Sequence, residues 1–97
     1  MRCVFAARAA QDIQEIGDYI ARDNPRRAVT FVGELRARCE AIVLQPLAAP
    51  LKPEYGDGVR MVPFGRYLIF YAATEEVVLI ERVLHGARDL EAQFDSE

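Results

Sequence analysis

Lysine is nearly missing from this 97-residue chain. Lys52 stands alone, the other basic residues are all arginine, and tryptophan is absent. Histidine occurs once, as His85, and cysteine twice, as Cys3 and Cys39. One histidine makes no His pair, and neither cysteine lies in a CxxC or Cys/His cluster, so no metal site is implied. The two thiols read as reduced core residues. No apolar run is long enough to span a membrane, and Arg8 interrupts the N-terminal apolar stretch before it becomes a signal-peptide core; the expected location is cytoplasmic. Positive charge in excess is lacking too. The net charge is −3 and the pI about 5.2, whereas a protein built to grip nucleic acid concentrates Lys and Arg on one face. There is no Gly-rich phosphate loop, nucleophile elbow or paired His, so neither a cofactor nor a free-standing catalytic centre is implied.

What remains is an ordinary globular composition, 52% apolar and 28% charged, of a length suited to one domain over residues 1–97. Arginine makes planar two-pronged contacts with carboxylates and phosphates. An Arg-rich but net-acidic chain therefore fits a protein-binding surface at least as well as an RNA-binding one.

Along the chain, residues 2–6 read as a short strand. From Ala9 the apolar period changes: Ala9, Ile13, Ile16, Gly17 and Ile20 form one helical stripe, with Asp12, Glu15 and Asp18 between them, acids placed early where the helix dipole favours them. Gly17 on that stripe implies close helix–helix approach. Asn24-Pro25 suits an N-cap followed by the first helical position, and Ala28, Phe31, Val32, Leu35, Cys39, Ile42 and Val43 form the stripe of a second helix. Pro46, Pro50 and Pro53 open a loop. Strands are predicted at 59–64, 67–73 and 77–84, joined by Gly65-Arg66 and Thr74-Glu75-Glu76. The fold class is α+β, in the order β-α-α-β-β-β: an antiparallel sheet with an N-terminal helical hairpin on one face and a short C-terminal tail. The other sheet face and the edges are left for function.

Alternation within the last strand puts Val78, Ile80, Arg82 and Leu84 on one face and Val77, Leu79, Glu81 and Val83 on the other. Glu81 and Arg82 serve either as edge charges that discourage strand addition or, for Arg82, as a partner contact. His85 either caps the strand end or works with an arginine as base and phosphate clamp. Arg88-Asp89 reads as the start of a helical turn, with Arg88 paired to a carboxylate. Tyr67, Ile69 and Tyr71 share a face; tyrosine hydroxyls are poor core atoms, so that face is expected to be open or at the rim.

Ala10-Gln11-Asp12-Ile13 through Tyr19-Ile20, then Asn24-Pro25 with Ala28 and Phe31, then Arg60, Gly65, Tyr67 and Phe70-Tyr71, and finally Ile80-Glu81-Arg82-Val83-Leu84-His85-Gly86-Ala87-Arg88-Asp89-Leu90 form an ordered pattern. Over nearly the whole chain it resembles the RelE/ParE superfamily of type II toxin–antitoxin toxins. The C-terminal signature is most similar to the ParE-like branch.

RelE-like members cut mRNA on the ribosome with an Arg in the second strand, an Arg just after the last strand and a Tyr near the C-terminus. Here the last Arg matches Arg88, the Tyr position falls near Phe94, and the second-strand position near Val62-Pro63. Two of the three positions therefore depart from the nuclease pattern. ParE-like members poison DNA gyrase by binding and are neutralised by a ParD-like antitoxin, whose N-terminal half is a DNA-binding ribbon-helix-helix. The resemblance implies a non-enzymatic gyrase inhibitor held in a hetero-oligomer with its antitoxin, touching operator DNA only through it. The target-binding residues it implies are Arg60, Tyr67, Arg82, His85, Arg88 and Phe94. On the alternative reading, a ribosome-dependent endoribonuclease, His85 is the base and Arg88 stabilises the phosphorane.

Overall fold

A computed structural model describes residues 1–90. β1 (Arg2–Phe5), α1 (Ala7–Ala21), α2 (Pro25–Ala41), β2 (Arg60–Phe64), β3 (Tyr67–Ala73) and β4 (Val77–His85) follow the expected order, with short 3-10 turns at Ile42–Leu44 and Pro53–Tyr55. Among the described residues no helix is long and apolar enough to cross a membrane.

The four strands lie in the order β1-β4-β3-β2. β3 is antiparallel to both neighbours, as tight connections require, while β1 joins β4 in parallel. The sheet is thus mixed, where the sequence suggested antiparallel pairing throughout. No hairpin links β1 to β4, so turn geometry does not dictate their relative direction. The β2–β3 link is a two-residue turn in which Gly65 has φ +59°, as a glycine-first hairpin turn demands.

The helices form as their stripes predict. Asn24 caps α2, its side-chain oxygen accepting from the Arg27 backbone N–H at 3.0 Å. A Cβ on Gly17 would stand 3.2 Å from Val32 Cγ2, so the glycine permits the close approach of α1 and α2. The first turn of α1 carries no acid, contrary to expectation. Asp12 sits a turn further on and is used elsewhere.

Ala9, Ile13 and Ile16 of α1 and Leu35 and Cys39 of α2 pack on Val62, Tyr67, Ile69, Tyr71, Val78, Ile80 and Val83. Tyr67 (8% exposed) and Tyr71 (0%) are therefore buried under the helices rather than on an open face. Tyr71 is accommodated because its hydroxyl donates to the Pro46 carbonyl at 2.7 Å. Tyr67 instead packs in an aromatic cluster with Phe31, centroids 5.7 Å apart. The opposite sheet face is partly covered as well: Val59, Phe70 and Leu84 pack with Tyr55, Met61, Leu68 and Leu90.

Val83 sharing the helix-side core with Val78 and Ile80 reverses the alternation expected for β4. Phe70 pairs with Arg82 but Tyr71 with Ile80, leaving Glu81 as an extra residue. This β-bulge shifts the side-chain phase of everything after it.

Candidate functional site

β4 outruns β1. The parallel pairing covers only Val77 to Ile80, and beyond it the edge of β4 away from β3 has no neighbouring strand among the described residues. Backbone N–H groups exposed there need acceptors, and an uncovered edge invites foreign strands. Two carboxylates fill the need. Asp12 Oδ2 accepts from the Val83 N–H at 3.0 Å, and Asp89 Oδ2 accepts from the His85 N–H at 2.8 Å.

Each carboxylate also holds an arginine. Arg82 donates through Nε to Asp12 Oδ2 at 2.8 Å and through its terminal nitrogen to Oδ1 at 3.0 Å, a two-pronged pair. That pair is partly buried and keeps Arg82 charged, its pKa raised first by the Asp12 hydrogen bond. Arg88 Nε donates to Asp89 Oδ1 at 3.2 Å in a more exposed setting. Burial alone pushes Asp89 upward, but the His85 N–H and the Arg88 guanidinium outweigh it and hold the carboxyl below its ordinary value.

A two-residue turn, Gly86-Ala87, joins β4 to the helical residues 88–90. It brings the Arg88 backbone N–H onto His85 Nδ1 at 3.2 Å. The His85 ring stands edge-on to Tyr67, its cross-strand partner, with centroids 5.4 Å apart. The Arg88 guanidinium lies over the exposed ring of Tyr19 at 5.4 Å, and Arg22 approaches the same ring at 5.8 Å. Between α1 and the open β4 edge lies a groove of about 460 Å³, whose walls include Arg8, Glu15, Tyr19, Arg82 and Arg88.

Among the residues expected to act, Arg82, His85 and Arg88 share this corner, with Tyr67 beneath His85 in the core. Arg60 does not join them. It pairs with Tyr71, four residues along β3 from Tyr67, and donates to the carbonyls of Leu47 and Ala49 at 3.1 and 2.6 Å. Phe94 lies outside the described residues. Two participants were not singled out from the sequence. Asp12 reads there as a solvated helix acid, and its partner is 70 positions away. Tyr19 reads only as part of the α1 pattern, although an exposed tyrosine on an otherwise polar helix face is a usable signal. Among the described residues no three His, Cys, Asp or Glu side chains group to hold a metal. The corner offers alternating cations, carboxylates and an aromatic ring, an arrangement suited to a protein surface.

The chain is thus a small α+β domain with a charged rim at the end of its last strand, and sequence comparison gives its family. The model of the ParE toxin of type II toxin–antitoxin systems (parDE) matches residues 3–90, and the chain belongs to that family. Among solved structures it is similar to a chain of the chromosomal ParDE toxin–antitoxin system from P. aeruginosa (TM-score 0.77, 17% identity, covering 88% of this chain and 95% of that one). It is similar to a chain of the RelBE2 toxin–antitoxin complex from Mycobacterium tuberculosis (TM-score 0.63, 22% identity, 87% and 95%). YafQ from E. coli shares the fold more distantly (TM-score 0.55, 15% identity, 97% and 99%). No curated protein matches the chain.

Proposed function

We propose that this chain is a toxin that acts by protein–protein contact, with DNA gyrase as its target and a ParD-like antitoxin as its neutraliser. The observation that carries the reading is how His85 and Arg88 are engaged. A neutral imidazole has one lone pair to accept a proton. In His85 the Nδ1 atom accepts from the Arg88 backbone N–H, so that nitrogen is engaged within the fold. Arg82 gives two prongs to Asp12, and Arg88 donates through Nε to Asp89. A phosphoryl-transfer centre needs cations aimed at the place where charge develops, and both arginines here are instead paired with carboxylates of the fold. The same groups are well placed for partner recognition, because Arg, Tyr and carboxylates held in fixed geometry lose little freedom on binding. Both proposed partners place the protein in the cytoplasm, in a hetero-oligomer with its antitoxin, and any contact with operator DNA runs through that antitoxin.

The test is plasmid supercoiling by purified gyrase with increasing amounts of the chain. Inhibition that tracks the toxin:gyrase ratio and is relieved by the antitoxin is expected. Unimpaired supercoiling, together with codon-positioned cuts in mRNA on translating ribosomes, sinks the proposal in favour of the endoribonuclease.

A further inference from the structure

Cys3 and Cys39 are free thiols, and the strand-end corner uses neither. Cys3 and Phe5 stand two apart on β1 and so share a face. Both pack on the helix-side core, of which Cys39 is a fully buried member. Val78, the strand partner of Cys3, belongs to that core as well. The C-terminal end of α2 lies at β1, because α2 and the turn that follows it, Ile42–Leu44, both touch that strand. One contact gives the register: the Arg36 guanidinium stands 5.1 Å over the Phe5 ring. From there Cys39 is three residues further along α2, about 4.5 Å of rise, and Cys3 is two residues back along β1, about 6.6 Å. The two steps run the same way. The Cys3 thiol is pushed up by burial and then by Glu40, and the Cys39 thiol by burial and then by Cys3. Two cysteines far apart in sequence thus face each other where α2 crosses β1.

Their settings differ in a useful way. Cys3 is half-buried on an edge strand, within reach of a small oxidant, whereas Cys39 is 0% exposed. Burial keeps both thiols protonated, and a protonated thiol is a poor nucleophile, so the pair stays reduced until oxidant persists. β1 is also only four residues long, and short edge elements are among the first to open.

We propose that Cys3 and Cys39 form a reversible intramolecular disulfide when the chain meets a hydroperoxide, stapling β1 to α2. The Cys3 thiolate attacks a peroxide oxygen and the O–O bond breaks, giving a sulfenic acid and, from hydrogen peroxide, water. The Cys39 sulfur then attacks the Cys3 sulfur. The S–S bond forms as the S–O bond breaks, and the departing oxygen leaves as water with the thiol proton. The two sulfurs lose two electrons in all, and the peroxide takes them. A thiol reductant reverses the change by exchange. Disulfides in reducing compartments are usually transient and redox-sensing. This one closes a loop that contains α1 and most of α2, and so restricts the unfolded chain.

The test treats the full chain with hydrogen peroxide, maps its peptides without reductant and compares thermal midpoints. The expected result is a Cys3–Cys39 cross-link within one chain and a midpoint higher by roughly 10 °C, both reversed by dithiothreitol. Cys3→Ser changes a half-buried side chain; it is expected to keep the midpoint of the reduced wild type and to lose the rise on oxidation. Cys39→Ala, if it folds, is expected to leave a sulfenic acid on Cys3 that dimedone traps. Cys3 joined to Cys3 of a second chain overturns the proposal. So does Cys3 oxidised to the sulfinic acid while Cys39 remains a thiol, and so does a rise in midpoint that survives Cys3→Ser.

Discussion

Asp12 does more at the scale of single residues than any group the sequence singles out. Its two oxygens take both prongs of Arg82 and the Val83 N–H, joining α1 to an otherwise open strand edge. Breaking a partly buried pair strands its partner and orphans a backbone donor. Asp12→Ala is expected to cost about 2 kcal/mol in urea denaturation at neutral pH; a loss under about 0.5 kcal/mol would mean that the pair behaves as a surface bridge. Asp89 gives a pH signature. Its folded pKa lies below the ordinary value, so its contribution is complete above that value and disappears as pH falls through the folded one. Asp89→Asn is expected to flatten the stability–pH curve in that acid range and leave its slope at neutral pH unchanged, as read by denaturation midpoints across pH. Burial, followed by the nearby Cys3, pushes the Cys39 thiol up to about 12. Iodoacetamide at mildly alkaline pH should leave Cys39 unmodified in the native chain and label it in urea, by mass spectrometry; rapid native labelling would contradict the packing of α2 on the sheet.

The elements themselves were largely legible, because their boundaries rest on local chemistry. The Asn24 cap, the stripes of α1 and α2, Gly65 at the hairpin and the long apolar runs of β3 and β4 mark where each begins and ends. What was hidden depends on distant partners. The Tyr67–Tyr71 face reads as open because nothing in the strand reveals that the Pro46 carbonyl waits 25 positions away for a hydroxyl. The phase of β4 was misread because the bulge at Glu81 is created by pairing with β3. Its trace in sequence is the Glu81-Arg82 pair interrupting an apolar run. The roles of Arg82 and Arg60 were equally hidden: both point to partners fixed by the tertiary fold. Two changes test the elements. Tyr71→Phe removes the tie to Pro46 and should cost about 1 kcal/mol. Gly65→Ala places a Cβ in the left-handed region and should cost about 1 kcal/mol, seen as a lower thermal midpoint.

For the molecule as a whole, two different surfaces lie toward opposite edges of the sheet. A charged, aromatic corner lies where β4 outruns β1, and the exposed side chains of Leu44, Leu47 and Leu51 lie in the connection that leads to β2. The net charge is negative, and at these two surfaces Arg82 and Arg88 are tied to carboxylates and Arg60 to backbone carbonyls. The most direct test is controlled expression without antitoxin, reading DNA-damage response and mRNA integrity in one culture. Growth arrest with DNA-damage induction and intact mRNA is the predicted result. Rapid translation arrest with codon-positioned mRNA cuts would contradict the account and make His85 and Arg88 catalytic.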